Sequence, residues 1–460
     1  MNIVFYAYGL GHLFIEELLK NEYFSSFFNQ PNVFIVTDNR THKYFYDSKG
    51  WDVLYLSDFE EDKRVNYPLS DNFMISMKRY TLIDLKAVKQ EQVFSAYKNL
   101  IEDFLKKNDI NLVLYERKIQ SMEGTLILNT AKSLNIKTIC PHFGRIYGRS
   151  FLSNSEQEYF TTFNTPSRED EKEAQIFLTK FKKAGSFLYP LFEKTKISKH
   201  FQKNLITRTF NYFVRHLKYS EMFERQDFFQ SINNNLPFIN SIKIILRRLK
   251  SKKYFNKINY EELPENYVYF PLHVTPEAST SIHAPYFKDQ LRALDMIRLS
   301  IPPNFKVIVK EHPMMKGIRP LSFYKEISKM AGVRLVSHEL SSFKLIKGSR
   351  LVITITGTAA FEAYLLAIPS FTIVEAFFSN FTNTLKIDFL DFKETIKTYI
   401  NKKIKEEYIL KDLAIIYANT NEYNPMGVEA NPGIILSKRN MESFVKEVIF
   451  TFRNYESKFN

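Results

Sequence analysis

KVIVKEHP (residues 306–313) and LVITITGTAAFEA (residues 351–363) each begin as an apolar, β-branched run and end in a polar cluster. Such runs are typical of the buried strands of a parallel sheet. In an open α/β sheet, ligands bind outside the carboxyl ends of the strands. Lys310 and His312 stand at one predicted strand end, and a Thr-Gly-Thr turn opens a helix at the next. Together they predict a phosphate-binding crevice.

A third polar cluster, HVTPEAST (residues 273–280), follows another predicted strand at residues 267–272. It supplies His273, Glu277 and Ser279 to the same edge of the sheet. Hydroxyls and backbone amides at a helix N-terminus can bind phosphate without adding formal charge. A single histidine more often has a structural role, but three clusters that converge at strand ends of one domain favour a binding site.

The composition is that of a globular protein with an anionic partner. The chain has 460 residues, of which 45% are hydrophobic and 25% charged, so we expect two globular domains rather than one. The formal net charge of +14 suits an anionic partner such as a nucleotide-sugar, an anionic lipid or nucleic acid. The single cysteine, Cys140, excludes an internal disulfide. It fits a cytoplasmic protein, as does the lack of an apolar run of ~20 residues or a signal peptide.

Strands alternate with helices in two parts of the chain. Residues 1–150 and residues 264–440 each predict a Rossmann-like domain built on a parallel sheet. Residues 151–263 predict a helical, basic connecting region, and residues 441–460 predict a C-terminal helix that packs back. The predicted fold class is therefore α/β, with two Rossmann-like domains facing across a cleft.

The basic segment at residues 240–257 has seven Lys or Arg residues, interleaved with Ile and Leu, and no acidic residue. A basic amphipathic helix of this kind can bind an anionic membrane surface. The alternative is a solvated connector between the domains. Nucleic-acid binding is disfavoured, because no recognised nucleic-acid module accompanies the segment.

Two motifs in the N-terminal part contain candidate substrate-binding or catalytic residues. GLGH (residues 9–12) lacks the third glycine of a dinucleotide fingerprint, so we interpret it as a tight turn that lets an acceptor approach, with His12 as a substrate contact. Glu116 follows an apolar run at residues 112–115 and precedes two cations that could hold it ionised, which makes it the first catalytic candidate. The alternative for Glu116 is a surface salt bridge.

The segment PHFGRIYGRS (residues 141–150) follows the next predicted strand. It offers His142, Arg145 and Arg149 to an acidic sugar carboxylate or an anionic acceptor. The sequence contains no Asp-x-Asp motif and no cluster of metal-ligand type, so we expect metal-independent chemistry and no cofactor beyond the donor substrate.

Three motifs, PLHVTPE (271–277), VKEHP (309–313) and TITGTAAFEA (354–363), together resemble the bacterial capsular polysaccharide biosynthesis proteins. That family includes Kdo transferases that use a CMP-activated sugar. The Lys-x-His-Pro element is also similar to the His-Pro motif of bacterial sialyltransferases. The resemblance covers residues 265–375.

The resemblance implies a GT-B glycosyltransferase whose C-terminal domain holds the nucleotide-sugar. Its motifs assign the nucleotide phosphate, ribose and donor pocket to Lys310, His312, Thr356, Gly357, Thr358, His273, Glu277, Ser279 and Glu362. Retaining members of the group use a carboxylate from the first domain. Glu156 and Glu158 follow the Arg-rich loop where an Asp would be expected, so they join Glu116 as catalytic candidates.

We therefore expect a glycosyltransferase of bacterial capsular or lipopolysaccharide synthesis. It would transfer Kdo or a related acidic sugar from a CMP-linked donor to an oligosaccharide or lipid-linked glycan, on the cytoplasmic side of the inner membrane. Two alternatives remain open at this point. One is a phosphotransferase of CDP-glycerol type, and the other is a non-catalytic scaffold that binds polysaccharide or lipid.

Overall fold

The computed structural model describes residues 1–7, 11–37, 40–56, 87–119, 121–156, 158, 160, 164–184, 237–255, 260–275, 280, 284–374, 378, 385–386, 392–400, 402–425 and 432–456. These residues form two compact units. Described residues of Met1–Asn164 and Asn419–Asn460 lie in the first unit, and those of Thr165–Leu188 and Leu236–Ala418 lie in the second.

The first unit alternates strands with helices, as the sequence predicts. Its elements up to residue 153 are β1 (Asn2–Tyr6), α1 (Gly11–Lys20), α2 (Glu22–Phe27), β2 (Asn32–Thr37), α3 (Arg40–Asp47), β3 (Asp52–Tyr55), α4 (Ala87–Lys107), β4 (Leu112–Leu114), α5 (Met122–Ser133), β5 (Lys137–Phe143) and β6 (Ser150–Ser153).

The strand order of the first sheet is β3-β2-β1-β4-β5-β6. All its neighbouring pairs are parallel except β5 with β6, which run antiparallel. This is the Rossmann order, in which the direction of winding reverses between β1 and β4. Ile3 of β1 lies opposite Leu112 of β4, so the carboxyl ends of these two strands flank the point where ligands bind in such sheets.

The second unit repeats the pattern. Its elements are α6 (Arg168–Ala184), α7 (Pro237–Ser251), β7 (Tyr267–Pro271), α8 (Gln290–Ser300), β8 (Lys306–Lys310), α9 (Leu321–Lys329), β9 (Val333–Val336), α10 (Ser342–Gly348), β10 (Leu351–Thr354), α11 (Thr358–Leu365), β11 (Ser370–Thr372), β12 (Leu385–Lys386), α12 (Phe392–Tyr399) and α13 (Glu406–Ala418). Short 3-10 turns lie at Lys252–Tyr254, Tyr260–Glu262, Pro285–Phe287 and Pro313–Met315.

The second sheet has the order β12-β11-β10-β7-β8-β9, and all its pairs are parallel. Counted from its own first strand, this is again the Rossmann order, and the reversal falls between β7 and β10. The predicted fold class, α/β with two Rossmann-like domains, is confirmed. Strand β6, an antiparallel strand at the edge of the first sheet, was not predicted from the sequence.

Two further helices, α14 (Pro432–Ile435) and α15 (Lys438–Arg453), follow in the chain. The predicted C-terminal helix corresponds to α15, whose apolar face packs on the first unit. Phe444 lies edge-on to Phe14 of α1, with ring centroids 5.1 Å apart, and Val448 shares the same buried cluster. Each fully buried side chain of this size stabilises the fold by ~1.5–3 kcal/mol. Helix α15 is therefore part of the first unit's core.

Candidate functional site

The polar clusters after β7 and β10 meet where the second sheet reverses its winding. His273 Nε2 lies 3.0 Å from Thr354 Oγ1 and accepts a long hydrogen bond of 3.4 Å from the backbone N–H of Thr356. The backbone N–H of Gly357 donates to Thr354 Oγ1 at 3.0 Å. The two stretches that the sequence singled out thus form one connected group at a strand-end crevice.

His273 is a neutral, buried side chain. Burial lowers its pKa to about 3, with smaller contributions from His312 and Arg319. The buried Gln290 fixes its backbone, because His273 N–H donates to Gln290 Oε1 at 2.8 Å and Gln290 Nε2 donates to the His273 carbonyl at 3.1 Å. With Nε2 accepting from Thr356, the ring orients the backbone of the β10–α11 turn.

Gly357 is required by the close approach of these strand ends. A Cβ atom at this position would lie 2.5 Å from Thr354 Oγ1 and 2.9 Å from His273 Nε2. Thr358 is the first residue of α11, and Glu362 lies one turn further on. The N-terminal turn of α11 adjoins the carboxyl end of the sheet, an arrangement that favours bound anions. Glu277 and Ser279, also predicted here, lie outside the described residues.

Lys310 and His312 follow one another at the end of β8, next to β7. Lys310 Nζ donates to Ser342 Oγ at 2.8 Å, and the side chain is largely buried. His312 Nδ1 accepts the Met314 N–H at 3.3 Å at the start of a 3-10 turn. A neutral ring with this contact carries its proton on Nε2, so it is a donor of the kind that binds a phosphate oxygen.

Glu311 holds the start of the loop that carries His312, a role that was not predicted from the sequence. The carboxylate is buried, and it accepts Arg319 Nε and Tyr324 Oη, both at 2.8 Å, and the backbone N–H of His312 at 2.7 Å. Arg319 also donates to the His273 carbonyl. The sequence does contain a signal for this role, because Glu311 stands between Lys310 and His312 at the end of a predicted buried strand. A buried carboxylate needs a cation and hydrogen-bond donors as partners.

In the first unit, Glu116 lies just beyond β4, beside the point where that sheet reverses. A Cβ atom on Gly11, the first residue of α1, would lie 2.5 Å from Glu116 Oε1, so the carboxylate adjoins the N-terminus of the helix. Arg117 Nε donates to both carboxylate oxygens, at 2.7 and 3.0 Å. The side chains of Arg117 and Glu116 are 15% and 3% exposed. The ion pair is therefore buried, unlike the surface salt bridge that the sequence also allowed.

Glu158 is held between two cations. Its oxygens pair with Lys118 and Arg145, and its side chain is 7% exposed. Burial alone would raise the pKa of Glu158, but the Arg145 guanidinium and the Lys118 ammonium hold it well below its usual range. Glu156 is partly exposed, and its carboxylate accepts Ser155 Oγ at 3.4 Å.

His142 lies inside the first unit rather than on its surface. The ring is fully buried and stacks on Phe151, with centroids 5.2 Å apart. Nε2 lies 2.8 Å from both Ser153 Oγ and the Ser155 carbonyl oxygen. Burial lowers the pKa of His142 to about 4, so the neutral ring joins β5 to the segment after β6. These contacts give it a structural role.

The other predicted substrate contacts also have partners within the first unit. Arg149 Nε donates to Thr420 Oγ1 at 2.9 Å, which ties the loop after β5 to the returning C-terminal segment. His12, the second residue of α1, packs on Phe45, with ring centroids 4.7 Å apart, and burial lowers its pKa. The structure thus brings Arg145 and Glu158 together, and it separates His142 from the surface.

Within the described part of the chain, no group of three or more His, Cys, Asp or Glu side chains is placed to hold a metal ion. Across the same residues, no helix is long and apolar enough to span a bilayer.

One part of the chain matches the model of a known protein family. Residues 199–423, just under half of the chain, match the model of a family described as capsule polysaccharide biosynthesis protein. Among curated protein sequences, none is significantly similar to this chain. The family match overlaps all three motifs on which the resemblance was based, and it confirms that resemblance.

The solved structures that match this chain include the following two. KpsC from Thermosulfurimonas dismutans, a beta Kdo 2,7 transferase, aligns at 12% identity and a TM-score of 0.38, over 98% of this chain and 100% of that one. UDP-N-acetylglucosamine 2-epimerase from Rickettsia bellii aligns at 14% identity and a TM-score of 0.30, over 99% of each chain. The fold assignment rests on the two strand orders rather than on these alignments.

Proposed function

We propose that the chain is a glycosyltransferase of bacterial surface polysaccharide synthesis, because residues 199–423 match the model of the capsule polysaccharide biosynthesis protein family. It transfers Kdo or a related acidic sugar from a CMP-linked donor to an oligosaccharide or lipid-linked glycan, without a metal ion. The observation that carries this proposal is the connected group at the reversal point of the second sheet, formed by His273, Thr354 and Thr356 beside Lys310 and His312.

The chemistry of the donor explains this choice of residues. Cleavage of the bond between an anomeric carbon and a phosphate oxygen leaves negative charge on the phosphate. Hydrogen-bond donors of the protein that are fixed in place before the reaction stabilise that charge at little reorganisation cost. Lys310 contributes a cation, His312 a ring N–H, and the first turn of α11 backbone N–H groups. Glu311 and Gln290 keep the two loops in place through buried hydrogen bonds.

The proposal assigns the catalytic carboxylate to the first unit, with Glu116 as the leading candidate. Glu158 is paired with two cations, Lys118 and Arg145, whereas among the described residues the structure pairs Glu116 with one, Arg117, so Glu158 is expected to be the less basic and less nucleophilic carboxylate. Glu116 lies at the reversal point of its sheet, where ligands of Rossmann-like domains bind. Glu156 is the second candidate because it is partly exposed. Arg145 and Arg149 would favour an anionic acceptor in the same unit.

Product analysis tests the reaction class. The protein is incubated with CMP-Kdo labelled in the sugar and, separately, with CDP-glycerol labelled in the glycerol. Release of CMP with label in a glycan or in free Kdo is the expected result, and Glu116→Ala should reduce it. Turnover of CDP-glycerol alone would instead indicate a phosphotransferase. If neither donor turns over, and the wild type and Glu116→Ala are equally silent, a binding scaffold is indicated.

The same proposal places the protein at the cytoplasmic face of the inner membrane, through the basic segment at residues 240–257. The described part of this segment belongs to the second unit, which also carries the proposed donor pocket.

A further inference from the structure

Helix α7 packs against the loop that follows His312. Gly317 in this loop has a positive φ of 78°, and a side chain there would clash with the Ile244 carbonyl oxygen and lie 3.2 Å from Arg248 Cβ. Arg247 Nη1 donates to the Ile318 carbonyl at 3.3 Å. Residues 313–318 and the C-terminal half of α7 therefore form one continuous surface.

Large apolar side chains are exposed on both parts of this surface. On α7 they are Ile245, Leu246 and Leu249, which are 44%, 48% and 56% exposed, and on the loop they are Met314 and Ile318, which are 64% and 44% exposed. Clusters of exposed aliphatic side chains on a soluble unit indicate an interaction site rather than ordinary surface. None of these five side chains is aromatic, which favours a lipid partner over nucleic-acid bases, because bases stack on aromatic rings.

Cations lie on the same two segments and on the 3-10 turn that follows α7. They are Arg247, Arg248, Lys250, Lys252, Lys253 and Lys316, and the sequence has no acidic residue within 237–255 or 313–318. Burial and the nearby Arg248 lower the pKa of Lys316, and Glu339, which lies outside these ranges, opposes that shift. Like charges that crowd in this way attract an anionic partner. Aliphatic side chains with a rim of long cationic ones match the boundary between acyl chains and anionic headgroups.

We propose that α7 and residues 313–318 form one docking surface for an anionic lipid bilayer. The inference rests on the proposed function, because it adds the His312 loop to a membrane contact otherwise assigned to the basic segment alone. The loop that carries His312 then lies against the membrane surface itself. Donor binding and membrane docking share the short chain segment from His312 to Ile318.

Co-sedimentation of the full-length protein with vesicles tests this surface. The wild type should bind vesicles of phosphatidylglycerol and phosphatidylcholine, and added salt should weaken binding because exposed charges are screened. Leu246→Ser with Leu249→Ser should weaken binding about tenfold or more, and so should Ile318→Ser to a lesser degree. Leu299→Ser is the matched control, because Leu299 is 66% exposed on α8, outside the surface, and it should bind as the wild type does.

Two charge-reversal variants, compared in the same vesicle assay, test the contribution of the cations. Lys250→Glu with Lys253→Glu should weaken vesicle binding about tenfold, since each cation near the surface contributes to attraction. Lys325→Glu with Lys347→Glu changes the net charge equally at exposed sites on α9 and α10, and it should have a much smaller effect. Equal losses in the two pairs, or in the leucine variant and its control, would contradict a specific docking surface. So would a wild type that ignores anionic vesicles.

Titration of the same proteins with CMP, without vesicles, separates this inference from the proposed function. Vesicle binding that follows the pattern above without any CMP binding would overturn the donor assignment and support the docking surface. CMP binding in a protein that fails to bind vesicles would overturn the docking surface alone.

Discussion

His273 Nε2 lies 3.0 Å from Thr354 Oγ1, and this contact joins the ends of two neighbouring strands where the second sheet reverses its winding. Thr354 Oγ1 in turn accepts the N–H of Gly357 at 3.0 Å, so its hydroxyl proton is available to His273. The threonine hydroxyl thereby connects the neutral histidine with the turn that opens α11.

Thr354→Val should weaken CMP binding. The substitution is nearly isosteric, but it removes the hydroxyl between His273 and Gly357 and leaves buried polar groups without a partner, which costs ~1–3 kcal/mol. Thr354→Ser keeps the hydroxyl and is the matched control. Titration calorimetry with CMP should give about tenfold weaker binding for the valine variant and near wild-type binding for the serine variant. Equal affinities in the two variants would refute this role of Thr354.

Gly11→Ala should reduce turnover without changing donor affinity. The added Cβ would lie 2.5 Å from Glu116 Oε1 and must displace the carboxylate from its place at the start of α1. Misplacement of a catalytic group by ~1 Å can cost ~100-fold in rate. Steady-state assays should show a fall in kcat of at least about tenfold, while CMP titration is unchanged. A variant with wild-type kcat would argue against Glu116 as the catalytic carboxylate.

Removal of the Arg319 side chain should destabilise the protein far more than removal of the Tyr324 hydroxyl. Arg319→Met leaves the buried Glu311 carboxylate without its cation, and breaking a buried ion pair in this way costs ~3–5 kcal/mol. Tyr324→Phe removes one hydrogen bond to the same carboxylate, at ~1 kcal/mol. Urea unfolding followed by circular dichroism measures both values. Similar losses would indicate that Glu311 is protonated in the native protein.

Stability should fall as the pH is lowered from 6.5 towards 4, in part because of His142. Burial lowers the pKa of His142 from 6.5 to about 4 in the folded protein, so in this interval the unfolded chain binds the extra proton. The histidine's contribution is fully present above pH 6.5 and is lost progressively below it, by about 2 kcal/mol at pH 5. Urea unfolding of the wild type and His142→Gln should show a shallower pH dependence for the variant. Parallel pH profiles would contradict a neutral, buried His142.

Much of the fold follows from sequence patterns. The β-branched runs at residues 306–310 and 351–355 predict strands, and their polar ends predict where the site lies, because strand ends and ligand sites coincide in this architecture. The strand β6 was missed because four residues, Ser150–Ser153, carry too short a pattern, and only their pairing with β5 makes them a strand.

The supporting contacts of the site could not be predicted in the same way. The partners of Glu311 are Arg319 and Tyr324, which reach it only after the chain folds back into α9. His142 and His312 are both histidines, but His142 is fully buried and has a structural role, whereas His312 is partly exposed. Side-chain burial depends on tertiary packing, which a local pattern does not encode.

The central claim is that the second unit binds the nucleotide of a CMP-linked donor, and calorimetric titration of the protein with CMP, CDP, UDP and GDP tests it most directly. Lys310→Met and His312→Gln serve as site variants, with Lys347→Met as a control at an exposed position on α10. We expect CMP to bind the wild type and the control equally, and both site variants to bind about tenfold more weakly or worse. Binding of UDP or GDP in place of CMP, or CMP binding that neither site variant weakens, would contradict the claim.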